Sequence, residues 1–114
     1  MKIASRSLEN VIIFDVLGEM DLNEARMMKT HFEEKLALGH RFFAINLQGA
    51  PYVDSMGFGV LISCMRSLAP VKGVVVLFGM NPSVDKIFKL THLDRIITSY
   101  SSEQEALSAL KLQV

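Results

Sequence analysis

Three groupings in this 114-residue chain have side-chain types that could do chemistry: its histidines, a glycine pair, and a serine beside an aspartate. His31, His40 and His92 lack the HxxxH spacing that puts two imidazoles on one helical face for a metal. The single cysteine, Cys64, excludes an internal disulfide and a cysteine-based zinc site within one chain. Gly57-Phe58-Gly59 has neither the Gly-Lys-Ser/Thr ending of a phosphate loop nor a third glycine at Ile62, as a dinucleotide fingerprint would require. Close packing of a helix start is the role expected of it. Asp54-Ser55-Met56-Gly57 is not the Gly-x-Ser-x-Gly of a nucleophile elbow. These patterns point away from an enzyme and require no metal or cofactor.

Ser55 remains. It follows a loop and stands before the most apolar segment of the chain, where its hydroxyl could cap a helix. A serine in that place is also open to a kinase. A phosphate there brings about −1.5 to −2 charges and meets the N–H groups and positive end of the helix dipole. Phosphorylation would then leave the fold intact and alter what its surface presents. Met56 and Phe58 flank the serine, with Tyr52 upstream and Met20 at the start of an earlier helix. Apolar groups around an exposed serine suggest a docking patch, and added negative charge would oppose an apolar or acidic partner.

The elements that must position this serine are legible in the hydrophobic pattern. β-branched residues mark strands at Lys2–Ser7 and Val11–Leu17, joined by a short polar turn. Leu22, Ala25, Met28, Phe32 and Leu36 then form a helical stripe, opened by Asp21 with Glu24 and closed by Gly39. Phe42–Leu47 reads as a strand, Phe58–Ala69 as a helix buried on most faces, and Gly73–Phe78 as a central parallel strand. Asn81-Pro82-Ser83 opens a helix running to Leu90, Arg95–Thr98 reads as a short strand, and Ser102 with Glu105 opens a last helix carrying Ala106, Leu107, Leu110 and Leu112. The expectation is an α/β domain of order β-β-α-β-α-β-α-β-α, with about five strands, largely parallel, and about four helices.

Composition narrows the function classes. Twelve basic and twelve acidic residues give a net charge of zero, without the cationic excess a nucleic-acid groove needs. Half the residues are hydrophobic, enough to build a core rather than a disordered segment. No run approaches the ~20 apolar residues that cross a bilayer, and Met1-Lys2-Ile3-Ala4-Ser5-Arg6 does not open a signal peptide. A cytoplasmic protein with no nucleic-acid partner and no membrane insertion is expected.

One stretch is specific enough to carry a family resemblance: Asn46-Leu47-Gln48-Gly49-Ala50-Pro51-Tyr52-Val53-Asp54-Ser55-Met56-Gly57-Phe58-Gly59-Val60-Leu61. With Gly18-Glu19-Met20-Asp21, Asn81-Pro82-Ser83-Val84 and Ser102-Glu103-Gln104-Glu105-Ala106-Leu107, it resembles the STAS domains, specifically the small bacterial anti-sigma factor antagonists. The resemblance spans nearly the whole chain and implies one STAS domain over residues 1–114. It departs from the family pattern at Asn46, where aspartate is common, and at Met56, where a small residue is common.

The resemblance implies that the unphosphorylated protein binds an anti-sigma factor that is also a serine kinase, releasing the sigma factor. Phosphorylation at Ser55 then blocks binding, and a metal-dependent serine phosphatase reverses it. Asp21, Asp54, Ser55, Met56, Gly57 and Phe58 are the implied partner-binding positions, with Gly57 and Gly59 allowing close approach. The alternative is a STAS interaction subunit of a transporter or stress-signalling scaffold that is not phosphorylated.

Overall fold

The computed structural model describes residues 2–111, and Leu112, expected on the last helix, lies outside them. Strands β1 (Lys2–Leu8) and β2 (Val11–Leu17) form a hairpin closed by Glu9 and Asn10, with Glu9 in the left-handed region at φ 54°. From β2 onward the chain alternates: α1 (Leu22–Ala37), β3 (Phe42–Gly49), α2 (Ser55–Leu68), β4 (Val74–Phe78), α3 (Pro82–Leu90), β5 (Ser99–Tyr100) and α4 (Glu103–Lys111). Short 3₁₀ turns at Ala69–Val71 and Leu93–Arg95 follow α2 and α3.

The five strands lie in sequence order, β1 antiparallel and the rest parallel. That order decides where the helices go. Each parallel step moves one strand in the same direction, and crossovers are right-handed, so α1, α2 and α3 must all fall on one face. Ala25, Met28 and Phe32 of α1, Phe58, Leu61, Cys64 and Leu68 of α2, and Val84 and Phe88 of α3 bury there. They meet Ile12, Phe14, Val16, Phe43, Ile45, Leu47, Val75 and Leu77. Among the described residues α4 leads into no further strand of the sheet, and it covers the other face. Its Ala106 and Leu110 pack on Val11, Ile13, Ala44, Val76 and Phe78.

A polar clamp fixes α4 at its start. Arg6 donates to both Asp15 oxygens, at 2.6 and 2.9 Å, and to Glu103 Oε1 at 2.6 Å; Asn46 Nδ2 adds a bond to Asp15 Oδ1 at 2.8 Å. The Arg6 hydrogen bond holds the Asp15 carboxyl below the usual carboxylate range, against a smaller opposing effect of burial. Asn46, the residue standing where the family pattern has aspartate, thus donates to Asp15; a carboxylate there would have faced another carboxylate.

The β-β-α-β-α-β-α-β-α order and mixed sheet agree with the sequence expectation; β1, β3 and β4 differ from it by one or two residues at an end, and the last strand and the second helix by more. The last strand is Ser99–Tyr100 rather than Arg95–Thr98, whose start is taken into a 3₁₀ turn. Ile96, an exposed β-branched residue, and Ile97, buried, supplied the misleading strand signal. The second helix begins at Ser55, three residues before Phe58. Nor is it buried on most faces: Ser55, Met56 and Gly59 are exposed, while Gly57, Phe58, Leu61, Cys64 and Leu68 form its inward stripe.

Candidate functional site

The parallel strands end at one edge of the sheet, and the loops leaving that edge start the helices. In open α/β sheets this edge carries ligand and partner sites, because helix N-termini and loops converge there. Here the β2–α1 and β3–α2 loops are stitched together. Gly18 N–H donates to the Gly49 carbonyl at 2.8 Å, Met20 N–H to the Tyr52 carbonyl at 2.9 Å, and Asp54 N–H to the Met20 carbonyl at 3.4 Å. Met20 and Val53 form a parallel bridge, and Asn81 Nδ2 reaches the Pro51 carbonyl at 3.2 Å from the next loop. Met20 and Val53 are fully buried beneath this seam. Ser55 therefore rises from a loop braced on both sides.

Its role differs from the cap read from the sequence. Asp54, extended at φ −85° and ψ 174°, is the cap: its Oδ1 accepts from Gly57 N–H at 2.7 Å. Ser55 is the first helical residue, exposed, and its Oγ has no hydrogen-bond partner among the described residues. The aspartate takes the capping bond because its carboxylate, one residue earlier, lies where cap geometry needs an acceptor. The hydroxyl is left available.

The first turn of α2 carries no acidic residue, whereas those of α1, α3 and α4 carry Glu24, Asp85, and Glu103 with Glu105. The positive end of this helix dipole is thus met only by Asp54. Gly57 has to be glycine: a Cβ there would lie 2.9 Å from the Met20 carbonyl and 3.2 Å from Val53 Cγ1. Gly59 does not share this role, since a Cβ there would meet nothing within 4 Å. The close approach expected of both glycines holds for one.

Of the six residues expected to face a partner, the structure separates two groups. Ser55 and Met56 are exposed, Asp54 is half-buried, and Asp21 sits exposed at the start of α1, accepting from Glu24 N–H at 3.1 Å. Phe58 and Gly57 are buried. Phe58 is 1% exposed, with its ring 5.8 Å from that of Phe88, and so belongs to the core side of the apolar group around Ser55. A helix turns 100° per residue, and Met56 and Phe58, two apart, cannot share one face. Met56, 54% exposed, and Tyr52, 48% exposed, are the apolar groups left outside; Met20 is not among them.

The other chemistry-bearing groups among the described residues lie apart from Ser55. Cys64 is fully buried, and burial pushes its thiol up to about 12, far from a neutral-pH nucleophile. Among the described residues no three histidine, cysteine or carboxylate side chains come together to hold a metal. An open polar cleft of about 280 Å³ between α3, β5 and α4 includes Asp85, Lys89, Tyr100 and Glu105, which no local sequence pattern groups because they come from separate elements. Its one lysine is already bound to Asp85 at 2.9 Å. No described helix is long and apolar enough to cross a membrane.

Comparison with known proteins gives a consistent picture. The family model for the STAS domain matches residues 2–106. The anti-sigma-B factor antagonist of Listeria monocytogenes is 30% identical over 105 residues, covering 92% of this chain and 91% of that protein. The solution structure of TM1081, a Thermotoga maritima protein, superposes with a TM-score of 0.85 at 25% identity, over 97% of this chain and 90% of the other. The unphosphorylated form of the anti-sigma factor antagonist SpoIIAA has the same fold, with a TM-score of 0.76 at 18% identity over 96% and 98% of the two chains.

Proposed function

The chain belongs to the STAS domain family, and on that premise we propose that it is an anti-sigma factor antagonist switched by phosphorylation of Ser55. STAS proteins of the antagonist type are regulatory binding proteins. This one binds an anti-sigma factor through the exposed start of α2 and the adjoining loops, with Asp21, Asp54, Ser55 and Met56 at the contact. The observation that carries the reading is the state of Ser55: exposed, at the first position of α2, its hydroxyl unused because Asp54 supplies the cap. A kinase activity of the anti-sigma factor transfers the terminal phosphoryl group of a nucleoside triphosphate to Ser55 Oγ, the nucleoside diphosphate leaving and the hydroxyl proton being released, and a metal-dependent serine phosphatase hydrolyses the ester back to the hydroxyl and inorganic phosphate.

The physical basis of the switch is local. Unmodified, the contact is built from Met56 and Tyr52 around a neutral hydroxyl. Phosphorylated, it carries close to two negative charges beside Asp54, which a partner face complementary to the apolar form must desolvate and repel. The fold is spared, because the phosphate lies on the solvent side of a helix start whose dipole favours it.

The test compares Ser55→Ala and Ser55→Asp as baits for the source organism's anti-sigma factor. Both should fold. The alanine variant should bind constitutively, and the aspartate variant about tenfold more weakly or worse, a difference of at least about 1.4 kcal/mol. Equal affinity of the two removes the switch. Capture of one transporter or scaffold by both baits, with no such kinase, supports the alternative of an unphosphorylated interaction subunit.

A further inference from the structure

The two edges of the sheet are unlike. β5 is two residues long, too short to template another strand, whereas β1 runs for seven and pairs only inward, with β2. Long edges are normally blunted by proline, a bulge or an unanswered charge. β1 has no proline, and its pairing with β2 is regular from Lys2↔Leu17 to Leu8↔Val11. Its Arg6 is drawn onto Asp15 and Glu103, away from the edge. Ala4, Ser5 and Ser7 are small, exposed residues.

The direction of the free groups follows from register. A two-residue turn joins Leu8 to Val11, so that closing pair exchanges backbone hydrogen bonds, and, every second pair of an antiparallel ladder doing so, the odd-numbered positions of β2 face β1. Their β1 partners are Lys2, Ala4, Arg6 and Leu8. The N–H and C=O of Ile3, Ser5 and Ser7 therefore point outward, since successive backbone groups alternate in direction.

We propose that β1 pairs antiparallel with β1 of a second copy about a two-fold axis at Ser5, joining the two sheets into one of ten strands. The outward groups are self-complementary in this register. Ser5 faces Ser5 of the second copy, Ile3 faces Ser7, and Ser7 faces Ile3, each pair exchanging two backbone hydrogen bonds. Arg6 falls opposite Ala4, so no like charges meet, and the net charge of zero opposes no approach. Two-fold pairing turns the carboxyl edges of the two sheets in opposite directions, leaving both Ser55 surfaces open. A single added strand buries less than the roughly 800 Å² per partner of a stable complex, so the association is weak and concentration-dependent.

Sedimentation velocity on the full chain tests this. The weight-average mass should rise from that of one 12.7 kDa chain towards two between about 10 μM and about 1 mM, the range of a weak interface. Ser5→Glu and Ser5→Lys, exposed changes that spare the fold, should each shift the midpoint at least about tenfold upward by placing like charges opposite one another. An equimolar mixture of the two should regain dimerisation to wild-type level or better. A wild-type chain that stays monomeric at about 1 mM, or a dimer indifferent to both substitutions, overturns the proposal.

Discussion

The first turns of α1 and α2 follow one plan and part at one position. Each is capped by an aspartate whose Oδ1 accepts the N–H three residues on, from Glu24 in α1 and from Gly57 in α2. In α1 that third position holds a carboxylate, giving the Asp-x-x-Glu form of a capping box. In α2 it holds a glycine, because the Met20 carbonyl leaves no room for a Cβ. The packing that ties the two loops together thus removes from α2 the acidic residue that α1 uses. One helix start is electrostatically closed, and the other is left ready for an anion on its own first residue, Ser55. A steric requirement of the fold thus also leaves the start of α2 without an acidic residue of its own.

Substitutions along α2 can break or sharpen this contrast. The largest effect is expected at Phe58. Truncation to alanine removes a ring packed on Phe88 and should cost about 3–5 kcal/mol in urea unfolding, while Met56→Ala should stay within about 0.5 kcal/mol. Comparable losses at the two positions would mean that the inward and outward sides of this turn have been misassigned. Cys64 offers a second readout, since a fully buried thiol should react with an alkylating reagent only as the chain opens.

Next comes Gly57→Ala, which sets a Cβ against the Met20 carbonyl and should destabilise by about 1–3 kcal/mol. A neutral result would show that the α2 start can accept a side chain, and the steric reason for its missing carboxylate would fall. The smallest effect is a gain. Gly59→Ala, in open space within the helix, should raise the denaturation midpoint by the equivalent of about 0.5–1 kcal/mol through helix propensity. Loss of stability there would place an unrecognised contact over Gly59.

Much of the fold was legible in the sequence because its signals are periodic and local. The α1 stripe, the bounds of β2, and the Asn81-Pro82 start of α3 all appear in the structure where the pattern put them. Asn81 Oδ1 accepts from Val84 N–H at 2.8 Å, and Gly39 adopts φ 98°, as its place after α1 suggested. Failures occurred where neighbours distant in sequence decide the outcome. β5 is fixed by pairing with Leu77 and Phe78, not by the β-branched run at residues 96–98. The cap that the sequence offers at Ser55 stands one residue earlier, at Asp54, because both are good caps and only backbone geometry chooses between them.

What the sequence determined by itself was the alternation of strands and helices, the apolar faces, and a serine at the start of an unusually apolar helix. Those features follow from the 2-residue and 3.6-residue periods and from capping chemistry, which act over a few neighbouring residues. Tertiary structure decided which side of that helix is surface. It buried Phe58 and Met20, exposed Met56 and Tyr52, and made Gly57 obligatory while leaving Gly59 free. The reason is that exposure and close approach depend on what packs from the β2–α1 loop and α3, elements some 30 residues away on either side, and no local pattern records them.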